Sequence, residues 1–136
     1  MKRVLILCTA NSARSQMAEG LLRSLTDGNL EVHSAGTRPG SVHPLAIAAM
    51  ADLGIDISSH RSKSVDEFLG KDFDVMITVC DSARQECPFF PAKQVLHWSF
   101  EDPAAVTGTD AERLAAFKQV RDQIKHRLEE FIRSLG

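Results

Sequence analysis

Short runs of aliphatic residues alternate along the chain with stretches in which apolar residues recur every three or four positions. Four runs predict strands, over residues 3–7, 30–34, 73–79 and 94–98. The other stretches predict helices that begin at Ser15, at Pro44 and at two capping boxes over residues 64–67 and 109–112. We expect Gly28, Gly54 and Gly70 to end the first three of these helices.

This alternation predicts a single three-layer, doubly wound α/β domain over residues 1–136. Its four-stranded parallel sheet is expected to have the order 2-1-3-4, with helices on both faces. In such folds, ligands bind at the carboxyl ends of the strands, where the strand order reverses. Cys8 follows the first strand, Cys80 follows the third, and Asp102 comes just after the fourth. We therefore expect these residues to gather at one edge of the sheet.

The composition is typical of a globular protein, with 43% hydrophobic and 25% charged residues among 136. The net charge of -2 gives no support for nucleic acid or an acidic membrane as a partner, so local geometry must hold any bound anion. The apolar run after Arg3 is too short for a secretory signal, and no stretch approaches the ~20 apolar residues of a membrane helix. Three cysteines, an odd number, argue against structural disulfides. We expect a cytoplasmic protein.

The segment between the first strand and the first helix carries the main candidate chemistry. It consists of Cys8, Thr9, Ala10, Asn11, Ser12, Ala13, Arg14 and Ser15. Backbone N–H groups in such a loop of small residues can form a nest for a tetrahedral oxyanion, and Arg14 can hold two of its oxygens. The positive field at the helix start favours the Cys8 thiolate. The alternative is a buried cysteine that only packs and a surface arginine, but the position between strand and helix favours a nucleophile.

Two further motifs complete the candidate site. Asp102, within Glu101-Asp102-Pro103, is a candidate general acid, although Asp-Pro is also a common turn signal. Cys80 and Cys87 lack the spacing of a zinc site and the five histidines are scattered, so we expect no metal. Neighbouring parallel strands are about 4.8 Å apart, which would bring Cys8 and Cys80 near disulfide distance and favours redox chemistry.

Together these residues resemble the thioredoxin-coupled arsenate reductases, which share the fold of the low-molecular-weight protein tyrosine phosphatases. The loop from Cys8 to Ser15 and the Asp102-Pro103 pair are common to both groups. The reductases are indicated by Asn11-Ser12, by residues 14–20, and by Cys80 and Cys87. The phosphatases typically carry tyrosines beside the active site, whereas this chain contains no tyrosine.

The resemblance implies a relay of three thiols. Arsenate enters the loop, Cys8 attacks the arsenic, and Asp102 protonates the departing oxygen. Cys80 then attacks the Cys8 sulfur as arsenite leaves, and Cys87 attacks Cys80 to give a disulfide that thioredoxin reduces. Phe89-Phe90 either helps thioredoxin to dock or anchors a closed loop. Glutaredoxin or a small thiol could replace thioredoxin.

Two other functions remain open. One is a phosphatase that uses Cys8, Arg14 and Asp102 on phosphotyrosine or a small phosphate ester. The other is a non-enzymatic thiol redox sensor, which would respond to oxidation without turnover.

The resemblance also bears on cofactors and assembly. Some members bind potassium through residues that match Asn11, Glu19 and Ser34, with an acidic fourth ligand. The fourth position is Lys63 here, and its ammonium group could take the place of the cation. We therefore expect no potassium requirement and no other cofactor. Ala13 stands where the reductase loop often has a cysteine outside the redox relay. We expect a monomer, because small enzymes of this type are often monomeric.

Overall fold

The computed structural model describes residues 2–79 and 92–135. The elements in this part of the chain are β1 (Lys2–Cys8), α1 (Arg14–Thr26), β2 (Leu30–Gly36), α2 (Pro44–Ala51), a first 3-10 helix (Val65–Phe68), β3 (Phe73–Thr78), β4 (Ala92–His97), a second 3-10 helix (Pro103–Ala105) and α3 (Asp110–Leu135). Cys80, Cys87 and the Phe89-Phe90 pair lie outside the described residues.

The four strands form one parallel sheet in the order β2-β1-β3-β4, which confirms the predicted topology. β1 is central and buried along most of its length, as expected for an aliphatic strand between two neighbours. The register aligns Cys8 with Gly36, Leu7 with Thr78, and Thr78 with His97. The carboxyl ends of all four strands therefore lie at one edge, where parallel α/β sheets bind their ligands.

Helical segments cover both faces of this sheet. Ser34 of β2 donates a hydrogen bond to Glu19 of α1 (2.7 Å), whereas the ring of its neighbour His33 packs against Phe68, with centroids 5.3 Å apart. Successive side chains of a strand point to opposite faces, so α1 and the first 3-10 helix lie on opposite sides. Both α2 and α3 contact α1. No helix within residues 2–79 and 92–135 has the length and apolar character needed to cross a membrane.

The last helix begins with the predicted capping box. The Thr109 hydroxyl accepts a hydrogen bond from the Glu112 N–H (3.1 Å), and the Glu112 carboxylate accepts one from the Thr109 N–H (3.2 Å). The apolar side chains that recur along α3 are buried as the sequence predicts; they include Phe117, Ile124 and Leu128.

The predicted element boundaries agree with the structure to within a few residues. Gly54 ends α2 as predicted: the regular helix runs to Ala51, and Gly54 then adopts a left-handed φ of 76°, with its N–H bonded to the Ala51 carbonyl (2.9 Å) and the Ile55 N–H bonded to the Met50 carbonyl (3.1 Å). The segment after Ser64 is a 3-10 helix, in which the Ser64 hydroxyl accepts from the Asp66 N–H (3.1 Å) and the Glu67 carboxylate also pairs with Arg61. β4 begins two residues earlier than expected, at Ala92.

Candidate active site

The loop between β1 and α1 is held with its carbonyl groups turned outward. Four of its carbonyl oxygens accept hydrogen bonds from backbone N–H groups of the segment that follows β2. The pairs, with the acceptor first, are Cys8 with Thr37 (3.3 Å), Thr9 with Arg38 (2.9 Å), Ala10 with Gly40 (3.0 Å) and Ser12 with His43 (2.9 Å). A fifth carbonyl, that of Asn11, accepts from the Ser62 hydroxyl (2.6 Å).

This arrangement turns the N–H groups of the loop to its opposite side, because the C=O and N–H of a trans peptide point in opposite directions and no described peptide is cis. α1 adds to the same array. Its N-cap, Ala13, has no side-chain hydrogen bond, and its first turn contains no acidic residue. The first N–H groups of a helix need acceptors, and here an anion can provide them. The loop thus forms a cup suited to an oxyanion.

The cup opens into a cleft of about 380 Å³. Its described lining consists of Cys8, Thr9, Ala10, Ser12, Ala13, Arg14, Asp102 and Ala104. Cys8 is only 3% exposed, so its sulfur is approached through this cleft. Apart from Arg14 and Asp102, these residues are small, which suits a compact tetrahedral anion.

Asn11 fixes the path of the loop. Its φ of 50° lies in the left-handed region, which asparagine tolerates better than most residues. Its side-chain amide donates to Ser15 Oγ (2.7 Å) and Ser34 Oγ (3.0 Å), and its Oδ1 accepts from the Lys63 N–H (2.9 Å). Asn11 is fully buried, so these bonds tie the loop to β2 and to the segment before the first 3-10 helix.

Gln16 is a second anchor of the loop, and the sequence did not single it out. Its Nε2 donates to Asn11 Oδ1 (2.9 Å), to the Asn11 carbonyl (3.1 Å) and to the Arg61 carbonyl (3.0 Å). Its Oε1 lies 3.0 Å from His60 Nδ1. Arg61 and His60 are more than forty positions away from Gln16, so no local pattern could have indicated that Gln16 joins the loop to them.

Arg14 and Asp102 meet at the rim of the cleft. One guanidinium nitrogen of Arg14 donates to the Phe100 carbonyl (3.0 Å), and another lies 3.9 Å from Asp102 Oδ2. The other Asp102 oxygen accepts from the Ala104 N–H (3.0 Å), which caps the second 3-10 helix. The Asp102 side chain is 47% exposed and Arg14 only 14%, so the arginine is held from the loop after β4 while the carboxyl group faces the opening.

A buried charge cluster lies behind the loop. The Glu19 carboxylate is 3.1 Å from Arg23, 3.5 Å from His60 Nδ1 and 3.7 Å from the Lys63 ammonium, and it accepts from the Ser34 hydroxyl. Burial lowers the pKa of Lys63 and of His60, and the Glu19 carboxylate opposes both shifts. The residues that the resemblance assigned to a potassium site, Asn11 included, are thus together, with the Lys63 ammonium beside the carboxylate.

Comparison with known proteins adds to this geometry. A sequence profile described as low molecular weight phosphotyrosine protein phosphatase matches residues 3–136. The chain is 43% identical over 131 residues to an arsenate reductase from Halalkalibacterium halodurans, a match that covers 96% of this chain and 94% of that protein.

Solved structures similar to this chain also include arsenate reductases. An arsenate reductase in its oxidised state superimposes with a TM-score of 0.86 at 36% identity, and all of both chains is covered. A thioredoxin-dependent arsenate reductase from Corynebacterium glutamicum has a TM-score of 0.76 at 28% identity, covering 98% of this chain and 61% of that one. On sequence, sheet order and loop geometry together, the chain belongs to the low molecular weight phosphotyrosine protein phosphatase family, within which its relatives include arsenate reductases.

Proposed function

We propose that this protein reduces arsenate to arsenite, with Cys8 as nucleophile and Cys80 and Cys87 as the thiols that carry the oxidation away. The observation that carries the proposal is the outward orientation of the loop carbonyls, which leaves N–H groups and Arg14 around a buried cysteine. Full-length relatives that are arsenate reductases support the choice of arsenate as the substrate.

In the first step the Cys8 thiolate attacks arsenic and a sulfur–arsenic bond forms. The bond from arsenic to the departing oxygen breaks, and Asp102 protonates that oxygen so that it leaves as water. Arg14 and the loop N–H groups balance the negative charge of the remaining oxygens. The open position of Asp102 at the rim of the cleft suits this role.

In the second step the Cys80 thiolate attacks the Cys8 sulfur. A disulfide forms, the sulfur–arsenic bond breaks, and its electron pair stays on arsenic, which passes from arsenic(V) to arsenic(III) and leaves as arsenite. Cys87 then attacks Cys80, which releases the Cys8 thiolate and leaves a Cys80–Cys87 disulfide. A dithiol protein of the thioredoxin class reduces that disulfide, as the name of the Corynebacterium relative suggests.

The pairing of Cys8 with Cys80 draws support from the residues before them. The Val79 N–H donates to the Leu7 carbonyl (2.9 Å), which continues the ladder between β3 and β1 past Thr78. Val79 precedes Cys80 and Leu7 precedes Cys8 in the chain. We also propose that residues 1–136 act as one domain in a cytoplasmic monomer, and that the Lys63 ammonium removes any need for potassium.

The test is arsenate-dependent NADPH oxidation with thioredoxin and thioredoxin reductase. The wild-type protein is expected to turn over, whereas Cys87→Ser should release one arsenite per protein and stop as the Cys8–Cys80 disulfide. Cys8→Ser is the matched control and should release none. If Cys87→Ser cycles normally, the three-thiol relay is wrong. A parallel assay with glutaredoxin and glutathione identifies the reductant.

The phosphatase alternative makes the opposite prediction. The wild type would then show no multiple turnover of arsenate, whereas hydrolysis of p-nitrophenyl phosphate alone would not distinguish the two functions, because phosphate and arsenate are similar tetrahedral anions and Cys80 and Cys87 take no part in ester hydrolysis. The small side chains of the described cleft lining favour the inorganic anion.

A further inference from the structure

His43 joins the oxyanion loop to two helices without lining the cleft. Its backbone N–H donates to the Ser12 carbonyl (2.9 Å). Its side-chain Nδ1 accepts a hydrogen bond from the Leu45 N–H (3.1 Å) and so caps the start of α2. Its ring packs against Phe117 of α3, with centroids 4.7 Å apart. A single residue therefore sets both the direction of a loop peptide and the beginning of a helix.

The cap requires the neutral form of the imidazole. A backbone N–H can only donate, so the His43 Nδ1 that faces the Leu45 N–H must be unprotonated and the ring hydrogen must be on Nε2. In the imidazolium ion both ring nitrogens are donors. Protonation would therefore set two donors against each other and put a positive charge at the positive end of α2.

The surroundings of His43 favour the neutral form. Burial lowers its pKa, and the Arg113 guanidinium on α3 acts in the same direction. The Asp102 carboxylate, from the loop after β4, acts in the opposite direction. Phe117, the ring against which the imidazole packs, carries no charge.

We propose that neutral His43 is a positioning residue of the oxyanion cup: while its imidazole caps α2, its N–H keeps the Ser12 carbonyl outward and so aims the Ala13 N–H at the bound anion. Protonation of the ring removes the cap, loosens the Ser12 anchor and weakens oxyanion binding. This inference rests on the oxyanion cup of the proposed function. It adds a positioning residue outside the cleft and gives it a pH dependence.

Sulfate is the probe, because it keeps its charge while histidine titrates. Its Kd is measured by calorimetry from about pH 8 to about pH 5.5, at constant ionic strength, for the wild type and for His43→Asn. Asparagine is a good N-cap acceptor that does not titrate. The ratio of the wild-type Kd to the His43→Asn Kd is expected to rise up to about fivefold on acidification, the factor that corresponds to one lost N-cap. His126→Asn, which removes a 74% exposed histidine from α3, is the control. The ratio of the wild-type Kd to the His126→Asn Kd should not change with pH.

A second measurement uses the wild-type protein alone. If sulfate prefers neutral His43, saturating sulfate must lower the His43 pKa observed by NMR titration, because linkage is reciprocal. A ratio that stays flat or falls, or a His43 pKa that rises with sulfate, would mean that the imidazolium attracts the anion, and it would overturn the inference. Absence of sulfate binding at every pH would instead refute the oxyanion cup itself, and the inference with it.

Discussion

Gly36, at the end of β2, leaves no room for a side chain beside the oxyanion loop. A Cβ added there would lie 2.5 Å from the Thr9 carbonyl oxygen, 2.9 Å from the Asn11 nitrogen and 3.1 Å from the Ala10 carbonyl carbon. All three are backbone atoms, so no side chain can rotate away. We predict that Gly36→Ala displaces the loop and impairs oxyanion binding and catalysis.

The size of the effect follows from these distances. Real Cβ atoms almost never come closer than 3.0 Å to another heavy atom, so the Thr9 peptide must move by roughly half an ångström or more. A misplacement of ~1 Å can cost about a hundredfold in rate, and overpacking a core site costs about 1–3 kcal/mol. We therefore expect kcat/KM for arsenate to fall about tenfold to a hundredfold, and the free energy of unfolding to fall by about 1–3 kcal/mol.

Gly40→Ala is the matched control. Gly40 lies on the same segment and its N–H also bonds to the loop, at the Ala10 carbonyl (3.0 Å), but an added Cβ meets no atom within 4 Å. Coupled NADPH oxidation gives kcat/KM, and urea denaturation gives stability. The reasoning is refuted if Gly36→Ala keeps kcat/KM within twofold of Gly40→Ala, even if its stability falls, because the loop would then tolerate the contact.

Other predictions address different parts of the site. Asp102→Asn keeps an oxygen that can accept from the Ala104 N–H but cannot supply a proton, so kcat should fall about 10²- to 10⁴-fold with little change in the sulfate Kd; an unchanged kcat in the coupled assay would exclude Asp102 as the general acid. The wild type should be equally active in potassium and choline chloride, whereas Lys63→Gln should lose activity that potassium partly restores; potassium activation of the wild type would contradict the role given to Lys63. Burial lowers the pKa of three histidines, so the unfolded chain binds protons at a higher pH than the folded protein does. Their contribution to stability is complete above about pH 6.5 and is lost as the pH falls, and urea denaturation at about pH 7.5 and 5.5 should show this loss for His33, His43 and His60.

The sequence predicted the parts of the fold that depend on local patterns. The aliphatic run before Cys8 predicted a buried strand, and helix-forming stretches between strands indicated parallel pairing, while the order 2-1-3-4 was expected from the doubly wound fold class and not from the pairing itself. Cys8 could be assigned to the carboxyl edge of the sheet because it directly follows a strand, whereas its alignment with Gly36 could not be read from the sequence. Asp102 could be assigned to the same edge for the same reason, and the structure brings it to the rim of the cleft that Cys8 lines.

The features that the sequence did not predict depend on contacts between distant residues. Glu67 matched the capping-box pattern, yet the segment is a 3-10 helix and the Glu67 carboxylate also pairs with Arg61, which lies outside that pattern. Gln16 is hydrogen-bonded to residues far along the chain. His43 did have a local signal, because it directly precedes Pro44 and the residue before a helix-opening proline is the N-cap. The hydrogen bond from the His43 N–H to the Ser12 carbonyl had no such local signal.

The contrast between side chains that the sequence reveals and backbone contacts that it does not reveal explains how a chain of net charge -2 can bind a dianion. In the proposed mechanism the groups that react are side chains at strand ends, which the sequence reveals, but the field that would hold the anion comes mainly from peptide N–H groups, which every residue type except proline supplies. Their direction is set from outside the loop, where backbone N–H groups from the segment after β2 hold the carbonyls away from the anion. Substitutions that displace these N–H groups should therefore weaken sulfate binding and arsenate turnover together, because both need the same peptides. Loss of the Asp102 proton should affect turnover alone, and a Gly36→Ala variant that bound sulfate normally but reacted slowly would contradict this separation.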